Sequence, residues 1–353
     1  MRRCGLLLAT VLALLSAPGR PEAAETREVL GVAPNPGGLR MLTYLPDGGL
    51  PAGSPLVVAL HGCTQDARAF DDESGWAGLA DRHRFALLLP QQEPTNNADG
   101  CFNFFLAGDS RRDSGETASI AAMIERMRAD HAIDPGRVYV TGLSAGGAMA
   151  AVMLAAYPEL FAGGAILAGV PYGCADTAGD PALAWQKWWF RLTWAGFGEA
   201  GWAAYACGIG RHGFPLPTPF QHGPEAWAER VRAAGAPVPA AWPRVSLWQG
   251  SADRTVNPLN LAELTDQWTA VHGVDERPEE DRVVGPYRHR TFADAQGLVR
   301  VETYLVEGLP HAVPVDPDGA AACGRVADAH FVDDDVCAAQ LIARFWGLAP
   351  ADG

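Results

Sequence analysis

The chain is 353 residues long, with 27 Lys and Arg against 41 Asp and Glu, a formal net charge of −14 and 48% hydrophobic residues. That length is enough to bury a large core within one domain. Such acidity repels phosphate backbones and no basic stripe offsets it, which excludes nucleic acid as a partner and leaves the charge to serve solubility.

Met1-Arg2-Arg3 precedes an apolar run from Gly5 to Leu15, followed by small and polar residues to Ala24. The pattern reads as a secretory signal peptide over residues 1–24, cleaved near Ala23 or Ala24, whose apolar part is short for a membrane span. No later segment approaches transmembrane length, so no span is expected after signal removal and the mature chain is expected to be secreted, extracellular or periplasmic. Loss of the leader moves the net charge from −14 to about −16.

Strands are expected at Leu39–Leu45, Leu56–Leu60, Phe85–Leu89, Val138–Thr141, Gly164–Leu167, Val245–Gln249 and Val299–Val306. Helices are expected between them near Gly75–Arg82, Glu116–Ala132, Ala145–Tyr157, Leu259–Val271 and Val336–Phe345. This alternation, with continuous apolar strands, predicts an α/β fold with a doubly wound, mainly parallel sheet covered on both faces. No internal repeat, low-complexity linker or Ser/Thr-rich spacer is visible, so no appended module is expected.

The strand at Val138 runs directly into Gly142-Leu143-Ser144-Ala145-Gly146-Gly147, and a helix-forming run follows. A strand that turns at once into a helix around a serine is the nucleophile elbow of the α/β-hydrolases. The turn strains the serine backbone, glycines flank it because side chains would clash, and the helix N-terminus directs partial positive charge at the same point. In this fold the loop after the strand at Leu56 supplies one oxyanion donor and the residue after the nucleophile the other. The backbones of Cys63, in His61-Gly62-Cys63-Thr64-Gln65, and Ala145 are the expected donors, and His61 is read as shaping that loop.

Such an elbow takes its partners in the order Ser, acid, His. Arg244 to Gly250 reads as a strand ending in Ser251-Ala252-Asp253, which puts Asp253 at the carboxyl edge of the sheet, although an aspartate there also suits a turn or helix cap. Four histidines follow. His272 sits at a helix C-terminus as a favourable charge, His289 alternates with arginines on what reads as a solvated strand face, and His330 lies in an irregular stretch between two cysteines. His311 follows the strand Val299–Val306 through a short glycine-containing loop and is the expected base.

These motifs carry a resemblance. Leu60-His61-Gly62-Cys63-Thr64-Gln65, Leu89-Pro90-Gln91-Gln92, Cys101-Phe102-Asn103-Phe104-Phe105, the elbow, Gly169-Val170-Pro171-Tyr172-Gly173-Cys174, Trp248 to Asp253, Pro310 to Val315 and Phe345-Trp346-Gly347-Leu348 follow one another over about residues 40 to 348. The chain resembles the secreted esterase family of short polyhydroxybutyrate depolymerases, which is related to feruloyl and acetylxylan esterases. The resemblance implies a single α/β-hydrolase catalytic domain over 25–353, with Ser144 as nucleophile, Asp253 as orienting acid and His311 as base. It implies hydrolysis of ester bonds, most naturally those of polyhydroxybutyrate or its oligomers. A feruloyl or acetyl ester of plant polysaccharide is the rival substrate, and a non-catalytic binding protein on this fold is the alternative from another class.

The chain departs from the family in an insertion over about 175–240 that carries Trp185, Trp188, Trp189, Trp194 and Trp202, whose spacing follows no clean helical period, although Ala184 to Trp194 suits a short amphipathic helix. These side chains either present an aromatic surface to substrate, with Trp185, Trp188 and Trp189 as the binding candidates, or pack the insertion onto the core. Cys4 leaves with the leader, and the remaining six cysteines suit disulfides in an exported chain. The preferred set is Cys63–Cys101, Cys174–Cys207 and Cys323–Cys337. No Cys-x-x-Cys pair, His-Glu-x-x-His motif or dinucleotide fingerprint is present, so neither metal nor cofactor is expected, and Asp333-Asp334-Asp335 reads as a solvated acidic run.

Overall fold

The computed structural model describes residues 25–177, 181–193, 198–210, 215–235, 237–319 and 322–350. The expected leader at 1–24 and Trp194 of the insertion lie outside the described residues. Ten strands form one sheet: β1 (Arg27–Val29), β2 (Arg40–Tyr44), β3 (Leu56–Leu60), β4 (Ala86–Gln91), β5 (Val138–Leu143), β6 (Gly163–Leu167), β7 (Arg244–Gly250), β8 (Glu280–Val284), β9 (Tyr287–Ala293) and β10 (Val299–Val306). Their order is β1-β2-β4-β3-β5-β6-β7-β10-β9-β8. The six from β4 to β10 are parallel, and antiparallel pairs close both edges. The short strands β11 (Val313–Val315) and β12 (Phe331–Asp333) pair separately.

Nine helices are described: α1 (Ala67–Glu73), α2 (Trp76–His83), α3 (Gly115–His131), α4 (Ala145–Ala156), α5 (Pro181–Thr193), α6 (Gly198–Ala206), α7 (Pro224–Arg232), α8 (Asn260–His272) and α9 (Ala338–Phe345). The central strands are buried on both faces, which is why they read as unbroken apolar runs. Leu56, Val58 and Leu60 of β3 pack with Met123 and Ile124 of α3 and Met149 of α4. Val57 and Ala59 face the opposite layer, with Leu79 of α2 and Ile342 of α9. Every residue of α4 is buried, and its Gly, Ala and Met composition lets it lie close across β5 and β6.

The β8–β9 hairpin corrects the reading of His289. Arg288 is exposed, but His289 turns inward, stacks on Tyr304 at 4.4 Å and lies 3.3 Å from Glu302. The alternation of charged residues concealed an aromatic partner contributed by the neighbouring strand β10. His272 also differs from its reading as a helix-end charge. Its Nε2 lies 3.0 Å from the Pro243 carbonyl, and burial lowers its pKa to about 4, so the ring is neutral near pH 7.

The insertion builds a third core, in which Trp202 and Trp227 are buried with Val170, Val256 and the half-cystines Cys174 and Cys207. On α5 the positions 185, 188, 189 and 192 share one helical face, so the tryptophans follow the helical period once Leu192 is counted. That face points outward: Trp185, Trp188, Trp189 and Leu192 are 62, 48, 54 and 62% exposed. Leu183 is buried and Phe190 packs on Trp202 and Tyr205. Disulfides join Cys63 to Cys101, Cys174 to Cys207 and Cys323 to Cys337. Among the described residues no helix is long and apolar enough to cross a membrane.

Candidate active site

Ser144 stands between β5 and α4 with φ 58° and ψ −119°, a conformation that non-glycine residues rarely adopt. Its N–H donates to the Leu167 carbonyl at 2.9 Å, and its carbonyl accepts from Ala148 at 2.8 Å as the helix begins. The flanking glycines are demanded by close approach. A Cβ on Gly142 would sit 2.5 Å from the Gly146 carbonyl carbon, and one on Gly146 would sit 2.1 Å from the Leu60 carbonyl oxygen. The tip of β3 therefore presses on the elbow, bringing the loop after Leu60 beside Ser144.

That loop is braced from several directions. The buried His61 ring accepts from the Gln92 N–H at Nε2 (3.1 Å), which leaves Nδ1–H to donate to the Gly62 carbonyl at 2.7 Å. Burial holds the imidazole below its ordinary pKa, so this neutral form is retained. Gln65 Oε1 accepts from the Gly62 N–H at 2.7 Å, and Thr64 N–H donates to the Asp99 carbonyl at 2.8 Å. The Cys63–Cys101 disulfide ties the loop to the segment beyond β4. Behind it, the Glu116 carboxylate accepts from Asn103 N–H and Nδ2 at 2.8 Å each and from Gln92 Nε2. Burial pushes the Glu116 carboxyl up to about 7. Gln92 and Asn103 occur in the family-like segments of the sequence, but nothing local revealed that Glu116 joins them.

Asp253 follows β7 and is buried. Its Oδ1 accepts from the N–H groups of Thr255 (2.7 Å) and Val256 (2.8 Å), while Oδ2 accepts from Gln249 Nε2 (2.9 Å) and His311 Nδ1 (2.7 Å). With Nδ1 engaged by a carboxylate, Nε2 is the nitrogen left for proton transfer. The loops carrying the two residues are bound together: Ala252 N–H donates to Leu309 O (3.1 Å), Ser251 N–H to Val306 O (2.9 Å) and Gly308 N–H to Ser251 Oγ (2.9 Å). Gly250 permits this contact, since a Cβ there would lie 2.1 Å from the Leu309 carbonyl oxygen.

Ser144, Ala145, Cys63 and His311 line one cleft of about 460 Å³. Among the described residues no hydrogen bond joins Ser144 Oγ to His311, and serine–histidine bonds of this kind are commonly long until substrate binds. Its lining includes the polar residues Thr64, Asn97, Asp99 and His330 and the apolar residues Phe104, Phe105, Val170 and Ala203 of α6. His330 therefore belongs to the cleft despite its irregular local sequence, with Nδ1 3.2 Å from Asp328. Its placement comes from Val313 N–H donating to the His330 carbonyl just before the β11–β12 pairing, a contact no local pattern announces. Trp185, Trp188 and Trp189 do not line the cleft; the insertion reaches it through α6 instead. Asp316, Asp333 and Asp335 bring carboxylate oxygens within 4.8 Å of one another, away from the cleft lining.

Residues 39–183 match the family model described as esterase PHB depolymerase. Over 322 residues the chain is 40% identical to poly(3-hydroxyalkanoate) depolymerase C of Paucimonas lemoignei, covering 91% of this chain and 70% of that protein. The chain belongs to the PHB depolymerase esterase family. It is a carboxylic ester hydrolase, which removes the reading as a non-catalytic binding protein. It is also 28% identical over 316 residues to a probable acetylxylan esterase A of Aspergillus clavatus, covering 88% of this chain and 91% of that one. Among solved structures, the acetyl xylan esterase from Aspergillus awamori superposes with a TM-score of 0.68 at 24% identity, covering 92% of this chain and 100% of that one, a likeness of α/β-hydrolase fold.

Proposed function

We propose that this PHB depolymerase family esterase is an exported enzyme whose residues 25–353 form one catalytic domain, and that it cleaves hydroxyalkanoate polyester or its oligomers. His311, oriented by Asp253, takes the Ser144 proton as Oγ attacks the ester carbonyl. The N–H groups of Cys63 and Ala145 stabilise the oxyanion, each such donor being worth about 2.7–4 kcal/mol of barrier. The protonated imidazole then gives its proton to the departing alkoxide, leaving the acyl group on Ser144. Water, deprotonated by the same ring, releases the acid and restores the serine.

The observation that carries this reading is the 2.7 Å His311–Asp253 contact in loops that share one cleft with the strained Ser144. The polyester assignment draws on the 40% identical relative and on the outward tryptophan face of α5, which suits adsorption to an insoluble apolar surface. The polar residues of the cleft lining favour a second reading, an acetyl or feruloyl ester on polysaccharide, since sugar hydroxyls would find partners in Asn97, Asp99 and His330. Clearing of a polyhydroxybutyrate film compared with release of acetate from acetylated xylan and with cleavage of methyl ferulate separates the two. Ser144→Ala should remove p-nitrophenyl butyrate turnover without changing the melting temperature, and retention of more than a few per cent of activity refutes the nucleophile assignment.

A further inference from the structure

The Ser144 cleft has a neighbour. Phe104, Phe105 and Ala148 also line a second cavity of about 370 Å³, so the two cavities adjoin at these residues. Val152 lines the second cavity too, eight residues beyond Ser144, which places it about 12 Å along the axis of α4. A third cavity of about 730 Å³ shares Arg111, Tyr172 and Gly173 with the second. Three cavities that share lining residues in turn thus lie between the Ser144 cleft and Arg111, which lines the second and the third.

The charges around these cavities are unevenly committed. Lys187 pairs with Glu199 at 2.7 Å, Arg191 takes the other Glu199 oxygen, and Arg112 pairs with Glu159 at 2.7 Å. Asp176 lines the same walls and is itself engaged. Arg111 is exposed and forms no ion pair among the described residues. Its carbonyl accepts from Ser114 Oγ and Thr117 Oγ1, so its backbone is held just before α3. Arg111 shares the third cavity with Arg112, Arg230, Asp113, Asp176 and Glu229, and its guanidinium, in no ion pair among the described residues, can pair there with an anion.

We propose that Arg111 forms a subsite for the terminal carboxylate of a linear hydroxyalkanoate oligoester, an inference that rests on the polyester reading above. A linear polyester carries a hydroxyl at one end and a carboxylate at the other. When an internal ester is cleaved, the acyl fragment remains on Ser144 and the departing fragment gains a hydroxyl where the bond broke. That departing fragment keeps the carboxylate at its far end. The cavities past Phe104 and Phe105 therefore hold the alcohol side of the scissile ester, and Arg111 sets a preferred distance between the bond cleaved and the acid end.

The test is competition against p-nitrophenyl butyrate hydrolysis by a linear 3-hydroxybutyrate trimer, as the free acid and as its methyl ester, with wild type, Arg111→Gln and Arg111→Lys. The wild type should be inhibited more strongly by the acid, Arg111→Gln should lose about three- to tenfold of that preference, and Arg111→Lys should keep part of it. Both inhibition constants come from the same variant, so a change in its turnover cancels in their ratio. Equal inhibition of the wild type by acid and ester, inhibition by neither, or a preference that survives in Arg111→Gln overturns the proposal. If the acid preference depends on Arg111 but neither trimer is cleaved, the polyester reading fails and the subsite stands. Cleavage of the trimers without acid preference removes the subsite and leaves the polyester reading intact.

Discussion

Asp253→Asn tests the proposed acid through the group it orients. All four of its hydrogen bonds are donated to it, two from the backbone N–H groups of Thr255 and Val256 and two from Gln249 Nε2 and His311 Nδ1. An asparagine brings one NH2 into this set of donors. Directed at Thr255 and Val256 it faces two fixed backbone donors, at about 1–3 kcal/mol for each group left unpaired. Directed at Oδ2 it meets side chains that can adapt. Gln249 Oε1 has no hydrogen-bond partner among the described residues and can turn to accept, and His311 can shift its proton to Nε2 so that Nδ1 accepts. The second arrangement wins, at the expense of the nitrogen that must receive the serine proton. The fold should survive with little change in melting temperature, while kcat on p-nitrophenyl butyrate falls about 10⁴-fold, near 5.4 kcal/mol of barrier. Initial rates and thermal melts on one preparation measure both. Activity within tenfold of wild type in a folded Asp253→Asn protein would refute the reasoning, and equal losses of stability and rate would make Asp253 a structural group.

Gly250→Ala should force the β7 tip away from Leu309, with which its Cβ would collide, so kcat should fall at least tenfold with a destabilisation of about 1–3 kcal/mol; unchanged kinetics would show that the two loops move independently. His272, whose folded pKa of about 4 lies below its ordinary 6.5, favours folding above pH 6.5, and that contribution is lost as pH falls through 4 because the unfolded chain takes the proton first. Denaturant midpoints from pH 7 to 4 should accordingly fall less steeply in His272→Asn than in wild type, and parallel curves would count against a buried neutral ring. Replacing Trp185 and Trp189 by alanine should weaken adsorption to polyester film and reduce film clearing more than p-nitrophenyl butyrate hydrolysis, with a small stability change. Trp202→Ala should instead cost about 3–5 kcal/mol, because that ring is buried under the insertion; comparable melting losses in both variants would contradict an outward face.

The seven expected strands and the long helices were legible because each central strand is buried on both sides and each element carries its own period. The elbow was equally local, since Gly142 and Gly146 are required by contacts within a few residues and with the tip of one neighbouring strand. The hairpin β8–β9 was poorly legible because β8 is exposed along its length and leaves no apolar alternation to read. Asp253 and His311 stand 58 positions apart, and only the pairing of β7 with β10 and the space left by Gly250 bring them to 2.7 Å. His330 entered the cleft through the β11–β12 pairing rather than through any pattern of its own. The insertion shows the limit most clearly. Leu183 and Phe190 make one face of α5 apolar and Trp185, Trp188, Trp189 and Leu192 make another, so the helix carries no contrast that says which side is buried. The sequence marked this segment as aromatic and suited to a short helix; the docking of Phe190 against Trp202 and Tyr205 decided which aromatics meet solvent, because only one apolar face of so narrow a helix reaches the core.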